Sequence, residues 1–182
     1  MKLVPVSTDD LTLFESMFCD PKHMADLGGV QPREKVPSIL EKQVAYMSSN
    51  KGWVYKIVPE VEDINTESTL TLEDVTSGVG TVGVWTGDWK DEPVTEICWG
   101  VAPKFQGNKF AKKAVNMILE KANNDGRWGT IHVFTTTSNI PSNALCVSCG
   151  FQFKGEEKVD YDGRDLYTNH YTYETTNADT SV

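Results

Sequence analysis

The residues best able to do chemistry fall in two segments. In the first, Gln106-Gly107-Asn108-Lys109-Phe110-Ala111 follows a strand-like run that stops at Pro103 and leads directly into a helical pattern bearing Lys112 and Lys113. Backbone N–H groups at a helix start lack intrahelical partners, the helix dipole favours negative charge there, and a glycine lets a phosphate approach the main chain. The segment is an anion cradle. It lacks the Gly-Lys-Ser/Thr ending of a P-loop and the three spaced glycines of a dinucleotide fingerprint, so an organic diphosphate bound without a metal suits it best. In the second segment, Asn139 and Ser142 stand at a strand-to-helix junction, where short polar side chains cap the helix and can also hydrogen-bond ligand amides. Cys146 and Cys149 follow as a CxxC inside that helix, without a second cysteine pair or a thioredoxin-like setting, which argues against zinc and redox roles.

The charge pattern sharpens this reading. The net charge of −9 argues against a surface built for nucleic acid or anionic lipid. Between Ile57 and Trp89 there is no Lys or Arg, while Glu60, Glu62, Asp63, Glu67, Glu73 and Asp74 crowd together, so residues 59–77 are expected to be a solvated, mobile acidic insert. From Lys104 to Lys121 the imbalance reverses, with Glu120 as the lone acid among five lysines. A solvated helix face explains such lysines in general; here the neighbouring glycine favours anion binding.

These segments need a scaffold. A strand near residues 2–6 precedes a helix over 9–18 announced by Ser7-Thr8-Asp9-Asp10, and Pro32 opens a second helix. Strands are expected at 53–58, 80–85 and 94–101, with 87–93 as a hairpin connection. The helix over 107–123 buries Ala111, Ala114, Val115, Ile118, Leu119 and Ala122 along one stripe. A strand over 130–135, a helix over 142–148, a strand from 150 and a last strand over 166–173 complete the series. The last strand, with Tyr167, Tyr171 and Tyr173, could pair or pack between subunits of a homodimer; a monomer is the other expectation. The order implies an α+β (α/β) protein with a mixed sheet of six to seven strands and a parallel crossover in its middle. Residues 1–175 fit one domain, with 176–182 a flexible tail. No stretch is apolar enough to span a bilayer or to serve as a signal, and four scattered cysteines suggest reduced thiols, so a cytoplasmic location without membrane association is expected.

The two segments resemble the GNAT superfamily of acetyl-CoA-dependent N-acetyltransferases. Gln106-Gly-Asn-Lys109-Phe-Ala111 is similar to its Arg/Gln-x-x-Gly-x-Gly/Ala motif, with Lys109 where glycine is usual. Asn139 to Phe151 is similar to its Asn-x-x-Ser/Ala run ending in Gly-Phe. Glu96-Ile97-Cys98-Trp99-Gly100-Val101-Ala102-Pro103 resembles the subgroup of ribosomal-protein N-terminal acetyltransferases. The resemblance implies a GNAT fold with helices on both sheet faces, and two splayed parallel strands holding pantetheine near Trp99, Gly100 and Val101. It also implies a pyrophosphate on Gln106, Gly107, Asn108, Lys109, Phe110 and Ala111, and further contacts from Asn139 and Ser142.

Transfer to an amine requires no metal and no acyl-enzyme. On this reading the Val101 N–H polarises the thioester carbonyl, and Glu96 is the base or else half of a strand ion pair. His132 on the facing strand is a second titrating group or a hydrogen-bonded core residue. Cys146 stands where many members carry the tyrosine that protonates the departing thiolate, and either donates that proton or packs the helix. Trp85 and Trp89 could line an acceptor cleft, and the acids nearby suggest a cationic amine, either a small molecule or a protein N-terminus. The alternatives are a non-catalytic acyl-CoA-binding module and an unrelated nucleotide-binding protein.

Overall fold

The computed structural model describes residues 1–64, 69–161 and 163–176. Seven strands form one sheet: β1 (Lys2–Pro5), β2 (Gly52–Val58), β3 (Gly80–Trp89), β4 (Glu92–Val101), β5 (Thr130–Thr136), β6 (Gln152–Tyr161) and β7 (Arg164–Glu174), in the order β1-β2-β3-β4-β5-β7-β6. All neighbours are antiparallel except β4 and β5, which are parallel and joined through a helix, the crossover expected from the sequence. The helices are α1 (Leu11–Phe18), α2 (Val36–Ser48), the short α3 (Leu72–Val75), α4 (Phe110–Asp125) and α5 (Ile140–Ser148).

Strand alternation sorts the side chains between two faces. Trp53, Tyr55, Ile57, Val82, Val84, Ile97, Val101, Ile131 and Val133 face α4 and join its buried stripe of Ala114, Val115, Ile118, Leu119 and Ala122. Val54 faces the other way, into a smaller cluster with Phe14 of α1 and Leu40 of α2. Glu96, Cys98 and Gly100 alternate with Ile97 and Trp99 and therefore share the α1/α2 side. Both faces carry helices.

Two strand limits differ from expectation. β3 and β4 continue pairing to Trp89↔Glu92, so the connection shrinks to Lys90 and Asp91, both with positive φ (52° and 63°). A two-residue turn of that hand matches the twist of paired strands, which lets the ladder run to its end. The last strand, β7, lies inside the sheet between β5 and β6, with Tyr171 buried. Its backbone groups are engaged on both sides, so it cannot extend a sheet between subunits; β1 and β6 are the edges.

The acidic insert is not solvated throughout. Asp63 is ion-paired with Lys113 and with the Met1 ammonium, and Asp74 with Lys104 at 2.7 Å; the Asp63 side chain is 1% exposed. Val75 and Val79 are fully buried. The two opposite charge imbalances of the sequence thus meet in space, the insert lying against the basic start of α4. Of the tail, Thr176 is described and donates its N–H to Asn123 Oδ1 at 3.1 Å; residues 177–182 and Glu67 lie outside the described residues.

Candidate active site

β4 and β5 are paired at Thr95↔Ile131 and Glu96↔His132 and nowhere further along. Beyond that point the strands diverge and leave a wedge toward Val101 and Thr136. The Ala102 N–H donates to the carbonyl of Val79, the residue just before β3, so alternation turns the N–H groups of Trp99 and Val101 away from β3, into the wedge. The Val101 carbonyl on the same side accepts from Gln106 Nε2 at 3.1 Å. The wedge is therefore lined by main-chain donors held on a rigid strand, the arrangement that polarises a carbonyl without reorganising.

At the wide end, Gly107 (φ 83°) and Lys109 (φ 62°) turn the chain into α4. Lys109 takes the left-handed conformation that glycine adopts freely, so the loop keeps its shape at a cost of about 1 kcal/mol. No side chain caps the helix start. Asn108 Nδ2 reaches back to the Phe105 and Gln106 carbonyls. The side chains of Gln106 and Asn108 thus brace the loop and leave anion binding to the backbone. A cleft of about 500 Å³ opens here between Gly107–Lys113 and the carboxylates of Glu62 and Asp63. Asp63 is buried, which alone would raise its pKa, yet hydrogen bonds from Lys113 and Met1 hold it down at about 2. With Lys113 and Lys104 taken by the insert, Lys109 and Lys112 remain the cations without an ion pair at the cleft among the described residues. Unpaired N–H groups, two free lysines and an open glycine fit a pyrophosphate.

The face opposite α4 carries the titratable groups. Glu96 is largely surrounded by protein; burial and then the Asp88 carboxylate raise its pKa. Across the strand pair, His132 Nδ1 lies 2.9 Å from His170 Nε2. Burial lowers the pKa of both imidazoles, and His170 falls to about 4 because His132 adds repulsion. Trp89 packs on this pair, its ring centre 4.7 Å from His170 and 5.3 Å from Phe134, while Lys90 Nζ lies over the Trp89 ring, 4.4 Å from its centre. Trp85 stacks on Tyr46 of α2 at 5.5 Å. Both tryptophans thus border the Glu96 face as packed walls. Cys98, next along β4, is exposed to solvent although it sits mid-sheet.

Cys146 is a correction. It is fully buried in the core under α5, and that burial pushes its thiol up to about 12. A thiol facing the core cannot reach a leaving group in the wedge, so its packing role is the one realised. Asn139 Oδ1 caps the Ser142 N–H at 3.1 Å, which leaves the Ser142 hydroxyl available. Asn143, which the sequence did not single out, ties α5 to the sheet: it donates to the Thr136 and Asn139 carbonyls and accepts from Asn169 and the Tyr171 hydroxyl.

His23 is the second residue sequence reasoning missed. The α1–α2 loop carries it across the mouth of the wedge, where its ring packs on Gly100; a methyl group at Gly100 would lie 2.8 Å from Cε1 and 3.0 Å from Nε2. The loop is fastened by Asp20, which accepts from the His23 N–H, and by Ser138, whose hydroxyl donates to Asp26 at 2.6 Å.

Wedge, cradle and sheet order are those of an acetyltransferase fold, and a family model described as acetyltransferase (GNAT) domain matches residues 1–152. The chain belongs to the GNAT acetyltransferase family, whose co-substrate is acetyl-CoA. Solved structures agree in fold. The ribosomal L7/L12 α-N-protein acetyltransferase RimL in complex with CoA is 12% identical, with TM-score 0.71 over 97% of this chain and 94% of that one. The ribosomal-protein-S5-alanine acetyltransferase from Vibrio fischeri is 14% identical, with TM-score 0.71 over 95% and 92%. A spermidine N-acetyltransferase chimera from Vibrio cholerae and hSSAT is 17% identical, with TM-score 0.70 over 96% and 95%. No curated protein sequence matches the chain. Among the described residues no helix is long and apolar enough to cross a membrane.

Proposed function

We propose that the protein moves acetyl from acetyl-CoA to a cationic primary amine by direct attack on the thioester, within one domain spanning residues 1–175. The observation that carries this reading is the parting of β4 and β5 beyond Glu96, with the Trp99 and Val101 N–H groups turned into the gap and the uncapped start of α4 at its wide end. The pyrophosphate rests on the backbone from Gly107 to Ala111, with Lys109 and Lys112 beside it. The thioester carbonyl meets the strand donors, and Asn139 and Ser142 border the pantetheine.

The amine enters from the α1/α2 side, because α4 and α5 cover the other. It meets Glu96 as base, with Asp88 and Glu92 adding negative charge that favours a cation. An ammonium is no nucleophile, and a carboxylate with a raised pKa is better matched to taking its proton. Both a polyamine and a protein N-terminus satisfy this chemistry, as the spermidine and ribosomal-protein enzymes of the same fold illustrate.

The test is Glu96→Gln assayed by thiol release against polyamines, aminoglycosides and basic N-terminal peptides. Turnover is expected to fall by on the order of a hundredfold or more, with acetyl-CoA affinity retained. Unchanged turnover would remove Glu96 from the reaction, and a preference for neutral or anionic amines would remove the cationic acceptor.

A further inference from the structure

The reaction must place two protons. One leaves the ammonium before attack. The second leaves the nitrogen after the C–N bond has formed, while the C–S bond breaks and the sulfur needs a proton. Glu96 accounts for the first. Cys146, in the position expected to handle the second, faces the core.

We infer that His23 carries the second proton, from the newly acylated nitrogen to the departing CoA sulfur. Its ring rests on Gly100, between the two wedge-facing donors Trp99 and Val101, on the side from which the amine must arrive. Four strand steps take the chain from Glu96 to Gly100, about 13 Å at 3.3 Å per residue, so the two groups share one face on either side of Cys98. The missing side chain at Gly100 gives the imidazole its seat. The Val101 backbone favours the protonated form of the ring.

Burial lowers the pKa of His23, with only the Val101 backbone and Asp20 opposing. The elements packed on the ring add little charge. Met17 of α1, whose sulfur lies beside Gly100, is neutral, Glu96 lies further along β4, and Asp20 belongs to the loop itself. A neutral, weakly basic imidazole accepts the surplus proton readily and releases it to a thiolate just as readily. The balance closes: the ammonium proton passes through Glu96 to solvent, the second through His23 to sulfur, and free CoA thiol and amide leave with one proton released.

This role rests on the acetyltransferase reading, and the test separates the two. Wild type, His23→Ala and His23→Phe are compared for turnover, acetyl-CoA affinity and pH profile, with imidazole or pyrazole added to His23→Ala. Turnover of both variants is expected to fall by on the order of a hundredfold with acetyl-CoA affinity within about twofold of wild type. Imidazole should restore His23→Ala, while pyrazole, of the same shape but far less basic, should not. Full turnover in His23→Ala, or equal rescue by pyrazole, would reduce His23 to packing and overturn the inference while leaving the enzyme reading intact. A wild type that transfers no acetyl group to any amine would instead overturn the reading on which it rests.

Discussion

Gly100→Ala probes the geometry at the mouth of the wedge. The added methyl would sit 2.8 Å from His23 Cε1 and 3.0 Å from Nε2, whereas carbon atoms rest at about 3.5–4.0 Å. The ring must retreat by roughly 0.5–1 Å, and overpacking of that kind costs about 1–3 kcal/mol. In a chain of this length each kcal/mol moves Tm by about 2–4 °C, so a loss of roughly 2–12 °C is expected. With His23→Ala already present, the next neighbour of the methyl is Met17 Sδ at 3.8 Å, an ordinary contact. Gly100→Ala should then be neutral or stabilising by a few tenths of a kcal/mol, because alanine restricts the unfolded chain. Denaturant melts of the four proteins give the coupling energy directly, expected at about 1–3 kcal/mol. Additivity within about 0.5 kcal/mol would show that His23 does not occupy the space above Gly100, and the placement of the α1–α2 loop over the wedge would fall with it.

Two other outcomes follow from the site. Asp88→Asn removes a negative charge that raises the Glu96 pKa, so the acidic limb of the pH–rate profile should move to lower pH; a limb that stays in place would detach that titration from Glu96. Cys146→Ala should lower stability by about 1 kcal/mol through lost core volume while turnover stays within twofold; a large fall in turnover at unchanged stability would return Cys146 to the chemistry.

What the sequence reveals depends on how local the cause is. The cradle is legible because Pro103, Gly107 and the lysines lie in one short stretch whose conformation is set by helix-start physics. The wedge is not, since it arises where pairing between β4 and β5 stops, a tertiary event with no residue signature beyond Glu96. The end of β3 is missed because Lys90-Asp91 lacks the glycine that announces a tight hairpin, yet both residues adopt positive φ. The charge segregation of 59–77 is visible, but the pairing of Asp63 with Lys113 and Asp74 with Lys104 requires the fold. His23 sits in a loop without periodicity and meets a strand far along the chain, so nothing local marks it. Cys146 is found by position, while the direction of its side chain depends on how α5 rolls onto the core.

The central claim is that the wedge and the start of α4 form one acetyl-CoA site. Thermal unfolding with acetyl-CoA, and with ATP and NAD as controls, tests it most directly. Ligand at about a hundred times its dissociation constant adds roughly 2.7 kcal/mol, a rise of several degrees at this size. The account predicts that rise with acetyl-CoA and CoA alone; no rise at millimolar acetyl-CoA, or an equal rise with ATP and NAD, would contradict it.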